Sequence, residues 1–119
     1  MFNIGCHLST TKGYYHMGEE ALHIGANTFQ FFTRNPRGGK AKQVNYEDMK
    51  LLIALAEHNN FATLMAHAPY TMNACSAEPS IRDFALQVIQ EDLSTLENLP
   101  DVYYVFHPGS HSGQGIEQG

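Results

Sequence analysis

Apolar runs alternate with amphipathic stretches along the whole chain. Phe2 to Leu8 reads as a first strand. Gly13 to Ile24 is predicted to be a helix with Tyr14, Met17 and Ala21 on one face, and Gly25 is placed to stop it. Thr28 to Phe32 follows as a second strand. Asn45 is suited to cap the next helix, with Glu47 and Asp48 in its first turn, where the helix dipole favours acids. Met49, Leu52, Ile53 and Ala56 then recur at helical spacing. Thr63 to Ala66 is the third strand and His67 to Pro79 a long loop. Ser80 is expected to cap a third helix that buries Ile81, Phe84, Ala85, Val88, Ile89 and Leu96. The uncharged aromatic and β-branched run Val102 to Phe106 reads as a fourth strand buried on both faces.

The order β-α-β-α-β-α-β implies a parallel α/β sheet with right-handed crossovers. Such a sheet is either open and doubly wound or about the first half of a (β/α)₈ TIM-type barrel. The barrel is favoured, because the distinctive polar residues lie just after strands, where barrels place their active sites. Neither a GxGxxG fingerprint nor a Walker loop is present. Strands one, three and four each run into a histidine: His7, His67 and His107, the last two followed by Pro-containing turns. Three strand-end imidazoles at one rim suggest a metal site. A complete barrel typically takes ~250 residues. Residues 1–119 are therefore expected to be the N-terminal half of a single barrel domain, with open edges that invite self-association.

Composition narrows the class. Hydrophobic content of 43% with 16% charged residues fits a globular domain rather than a disordered chain. No run approaches the roughly 20 apolar residues that span a bilayer, and no leader pattern opens the chain, so no membrane partner and a cytoplasmic location are expected. Cys6 and Cys75 form neither a disulfide framework nor a CxxC pair. The net charge of −5 would argue against nucleic acid. Yet Arg34, Arg37, Lys40 and Lys42, four of the 7 basic residues, fall in one acid-free segment. Gly38 and Gly39 within it allow close backbone approach. The acids sit mainly on the predicted helices (Glu47, Asp48, Glu57, Asp83, Glu91, Asp92, Glu97), where they are expected to face water. A cationic loop on an acidic body suits a localised phosphate contact.

Four blocks now carry a resemblance: Ile4 to Ser9, Phe29 to Arg37, Ala66 to Tyr70, and Phe106 to His111 (Phe-His-Pro-Gly-Ser-His). Together, in order and spacing, they resemble the endonuclease IV family, zinc-dependent apurinic/apyrimidinic endonucleases of base excision repair built on a (β/α)₈ barrel. The resemblance implies three zinc ions that serve to hydrolyse the phosphodiester 5′ to an abasic site. It implies that His67 and His107 hold one of these zincs. It further implies that Arg37 and Tyr70 enter duplex DNA beside the lesion, with Asn35 as a further DNA contact. His7, Asn73 and His111 would line the site. The partner implied is double-stranded DNA with abasic sites, the intact enzyme being a monomer. The family's remaining ligands, carboxylates included, lie on later strands, so the 119-residue piece alone is expected to be inactive.

The plainer readings stand beside these. A strand-end histidine is often only a hydrogen-bonded structural group, and Tyr70 can simply pack beneath its loop. Lys40 and Lys42 suit general phosphate contact or plain surface charge. His16, His23 and His58 are expected at helix surfaces, and Phe29, Phe31 and Phe32 in the core. Cys6 is expected to be a small buried residue and Cys75 a loop thiol without a role. Two rival functions remain open: a sugar isomerase or epimerase of the xylose isomerase-like group, and a non-catalytic half-barrel module. The basic loop with Arg37 and Tyr70 separates the nuclease from the sugar enzyme, since a small sugar needs no cationic wall.

Overall fold

Alternation along each strand decides which way the sheet faces. The computed structural model describes residues 2–38, 40–99 and 101–119. Strands β1 (His7–Leu8), β2 (Gln30–Phe32), β3 (Met65–His67) and β4 (Tyr103–Val105) are joined by helices α1 (Tyr14–His23), α2 (Tyr46–His58) and α3 (Pro79–Leu96). All neighbouring strands are parallel, in the spatial order β1-β2-β3-β4. That monotonic order is the one a closing barrel uses; a doubly wound sheet reverses its order at a switch point.

His7 stands level with Gln30, Met65 and Tyr103, so these side chains share one face with Phe32, His67 and Val105. The other face carries Leu8, Phe31 and Ala66, which bury against Tyr14, Met17, Ala21, Met49 and Leu52 of the packed α1–α2 pair. A smaller cluster of Ala68, Met72, Ala85 and Val88 lies under α3. The helices cover one face only. Tyr103 is consequently 64% exposed, and β4 is not buried on both faces as its composition predicts.

The regular ladder is shorter than the predicted strands, although pairing continues at their flanks. Asn27 N–H donates to Ile4 O, Met65 N–H to Phe29 O and Ala68 N–H to Val105 O. Cys6 lies exposed on the β1 flank rather than buried. Asn45 caps α2 as expected, its Oδ1 accepting from Asp48 N–H. Gly25 (φ 75°) follows α1 and donates to Leu22 O. Ser80 does not cap α3. Pro79, with its fixed φ, opens that helix after Glu78, and the Ser80 hydroxyl donates to Glu78 Oε1 instead. Ile81 sits in this first turn and is exposed. Gly39 lies outside the described residues. No helix among the described residues is long and apolar enough to cross a membrane.

The largest departure concerns Asp92 and Arg34. Neither faces water: both side chains are almost wholly buried. The Asp92 carboxylate accepts from Arg34 Nε (3.0 Å) and Nη2 (2.5 Å), from Thr33 Oγ1 (2.6 Å) and from Tyr104 OH (2.8 Å). Arg34 Nη1 also reaches Glu91. Burial works against the guanidinium charge, but these carboxylates outweigh it and hold the Arg34 pKa above its ordinary value. Burial, then the Asp92 bond, pushes the Tyr104 phenol well up. This network ties α3 to the end of β2 and the middle of β4, and Thr33 N–H continues it to His67 O (3.1 Å). The cationic loop thereby loses Arg34 as a solvent-facing charge.

Candidate functional site

The open face of the sheet gathers aromatic and imidazole rings at the ends of β2, β3 and β4. His67 is the last residue of β3 and is buried. Its Nδ1 bonds Ala68 O (2.6 Å), which fixes the ring, and the other nitrogen has no hydrogen-bond partner among the described residues. His107, just past β4, is exposed, and its ring centroid lies 5.2 Å from that of His67. Tyr70 stands 5.7 Å from His67 and 6.0 Å from His107, closing a triangle of three rings. Phe32 contacts His67 at 5.2 Å and Tyr70 at 5.1 Å, forming the floor.

His7 joins the cluster only at second hand. It is two register positions below His67, so the strand-end histidines do not share one level. Its ring packs on Phe32 at 4.5 Å and its Nδ1 meets Gln30 Nε2 at 3.1 Å. Partial burial, and secondarily the nearby His67, lowers its pKa. Beside it opens a cleft of about 750 Å³ walled by His7, Thr10, Phe32, Asn35, Lys40 and Lys42. Lys42 Nζ donates to Thr10 O across that cleft. Two lysines and hydroxyl-bearing loop residues make a wall suited to an anionic ligand.

The loops fall into place around the rings. Asn35 Oδ1 accepts from Arg37 N–H (3.0 Å), a local turn that leaves the Arg37 side chain exposed. Tyr70 N–H donates to Pro36 O (2.9 Å), so the Arg37 turn and the Tyr70 loop are directly joined. Asn73 bonds the backbone of Ser110 in the His107 loop. His111 is not brought to the rings; its Nδ1 accepts from Gly113 and Gly115 N–H and caps its own loop. The sequence reading missed Phe32 as a shared floor and Gln30 as the partner of His7. Period-two alternation placed both on the histidine face and was the available signal.

The donor set fits part of a zinc site. Two imidazoles sharing one tetrahedral zinc through nitrogens at ~2.1 Å have centroids roughly 5 Å apart. The 5.2 Å between His67 and His107 fits that arrangement. Among the described residues no group of three or more His, Cys, Asp or Glu side chains converges for a metal. The pair can supply two of the ligands that a zinc site needs, and no carboxylate among the described residues completes it.

Comparison with known proteins bears on the fold and the family. Residues 19–119 match the family profile of the xylose isomerase-like TIM barrel. A probable endonuclease 4 of Akkermansia muciniphila is 61% identical over 98% of the chain and 42% of its own length. One of Clostridium beijerinckii is 56% identical over 100% of the chain and 43% of its own length. The crystal structure of endonuclease IV from Thermus thermophilus superposes with a TM-score of 0.81 at 30% identity, over 89% of this chain and 40% of that one. The chain thus spans about two-fifths of the length of these relatives. It belongs to the xylose isomerase-like TIM barrel family, within which its curated relatives bear the name endonuclease 4.

Proposed function

We propose that this chain is the N-terminal half of a barrel domain in a zinc-dependent endonuclease that hydrolyses the phosphodiester 5′ to an abasic site in duplex DNA. The observation that carries the reading is the His67–His107 pair, 5.2 Å apart and bordered by Tyr70, in a chain whose relatives are named endonuclease 4. His67 and His107 are proposed to hold a zinc ion, with the remaining ligands coming from residues outside these 119. Zinc, when held there, supplies Lewis acidity toward a phosphoryl oxygen and eases deprotonation of water near neutral pH.

The chain's own residues do the binding and orientation. The Ala68 carbonyl holds the His67 ring in one orientation. Arg37 and Tyr70, on two loops whose backbones are joined through Pro36, would each meet the duplex, one with a guanidinium and the other with an aromatic ring. Their contact with exposed bases and phosphates offsets the cost of extruding the abasic nucleotide, a cost already low where the base is missing. Lys40, Lys42 and Asn35 line the adjoining cleft and suit the sugar-phosphate backbone. The xylose isomerase-like scaffold is shared with sugar enzymes, but a cleft walled by lysines next to an exposed arginine favours a polyanion.

Incision of a duplex with one abasic-site analogue tests the reading. The full-length protein should cut 5′ to the lesion and lose that activity on chelation or as H107A, and residues 1–119 alone should leave the duplex intact. Undiminished cutting by the H107A protein would refute the assignment.

A further inference from the structure

Beyond the ladder bond from Ala68 N–H to Val105 O, the backbones following β3 and β4 part company. Asn73 rejoins them. Its Oδ1 accepts from Cys75 N–H (3.1 Å) within its own loop and from Ser110 N–H (3.0 Å) across the gap. Its Nδ2 donates to Ser110 O (3.1 Å). The amide thus reads both backbone groups of one residue, as a neighbouring strand would. A second link between the two loops, Gln114 Nε2 to Cys75 O (2.9 Å), lies farther along.

Gly109 is the counterpart of this clamp. It has φ +108°, a conformation that favours glycine, and a Cβ there would sit 1.9 Å from Asn73 Oδ1 and 2.7 Å from its Cγ. The Asn73 amide fills the space that any side chain at position 109 would take. On one side of the clamp lie His67 and Tyr70; on the other lies His107, separated from Gly109 by Pro108 alone. With both oxygen lone pairs engaged, the Asn73 carbonyl has no spare acceptor for a cation.

We propose that Asn73 is a positioning residue: by clamping Ser110 over Gly109 it sets the separation of the His67 and His107 imidazoles without itself touching metal or DNA. The inference rests on the zinc reading above. Partners that orient metal ligands typically change affinity by ~10–100-fold when removed. Asn73 is only half-buried, and its bonds lie within and between loops, so its loss leaves the core intact.

The test is cobalt(II) binding to the metal-free full-length protein, followed by the visible d–d bands and by titration, together with a thermal melt. N73A removes the clamp, and N73D keeps Oδ1 but sets an oxygen against Ser110 O. Both should bind cobalt ~10–100-fold more weakly, with altered band intensity and an unchanged melting temperature. G109A should weaken binding too, and by a smaller factor when N73A has already cleared the space. Wild-type affinity in N73A and N73D, or a loss that merely tracks a fall in melting temperature, would overturn the proposal. If H107A binds cobalt as the wild type does, the zinc reading itself fails, a result distinct from failure of the clamp alone.

Discussion

Two polar clusters occupy opposite faces of the sheet, and their hydrogen bonding differs in kind. On the helix side, Asp92 is surrounded by Arg34, Thr33 and Tyr104, and no buried side-chain nitrogen or oxygen among the described residues lacks a partner. On the open side, His67 engages only one ring nitrogen with the protein, and His107 has ring contacts but no hydrogen bond among the described residues. A closed network holds strands in register; an open one keeps capacity for a ligand. Charge alone does not tell a functional residue from a structural one, since the most strongly paired arginine of the basic segment is structural.

The largest loss of stability is expected at Asp92. D92A removes the buried carboxylate that takes two hydrogen bonds from the Arg34 guanidinium, at a cost of about 3–5 kcal/mol in urea unfolding. A loss within experimental error would mean the network is dispensable. H107A should do the reverse, leaving unfolding unchanged while zinc affinity of the full-length protein falls more than ~100-fold, beyond the range of an outer-shell change. Y70A should cost about 1–3 kcal/mol in affinity for abasic duplex, with metal content unaltered. R37A should weaken binding to any duplex and lower the salt slope by about one unit.

The smallest effect concerns Glu91, whose pKa is lowered by its hydrogen bonds with Gln87 and then Arg34. A depressed folded-state pKa gives stabilisation that is complete above the ordinary value of 4.5 and lost as pH falls through the depressed one. E91Q should therefore cost less than about 1 kcal/mol at pH 7, the carboxylate being 39% exposed, and nothing in strong acid. A gap between the two proteins that widens as the pH drops would contradict that sign.

Much of this was legible in the residues. Element order, the parallel sheet and the Asn45 cap followed from periodicity and capping chemistry, and the turn motifs after β3 and β4 marked His67 and His107. Asp92 was not legible. Its place in helical spacing gave no hint that Thr33, Arg34 and Tyr104, distant in sequence, would surround it. The openness of β4 was hidden for a related reason: an aromatic, β-branched strand reads alike whether its second face is covered or bare. The paired role of Asn73 and Gly109 likewise depends on two loops meeting, which no local pattern records.

The proposed zinc site requires that His67 and His107 hold one cation between them. Diffraction from crystals of the full-length protein grown with zinc, recorded on either side of the zinc absorption edge, tests it without reference to activity. An anomalous peak about 2.1 Å from one nitrogen of each ring is expected. Zinc peaks elsewhere, with neither imidazole among their neighbours, would contradict it.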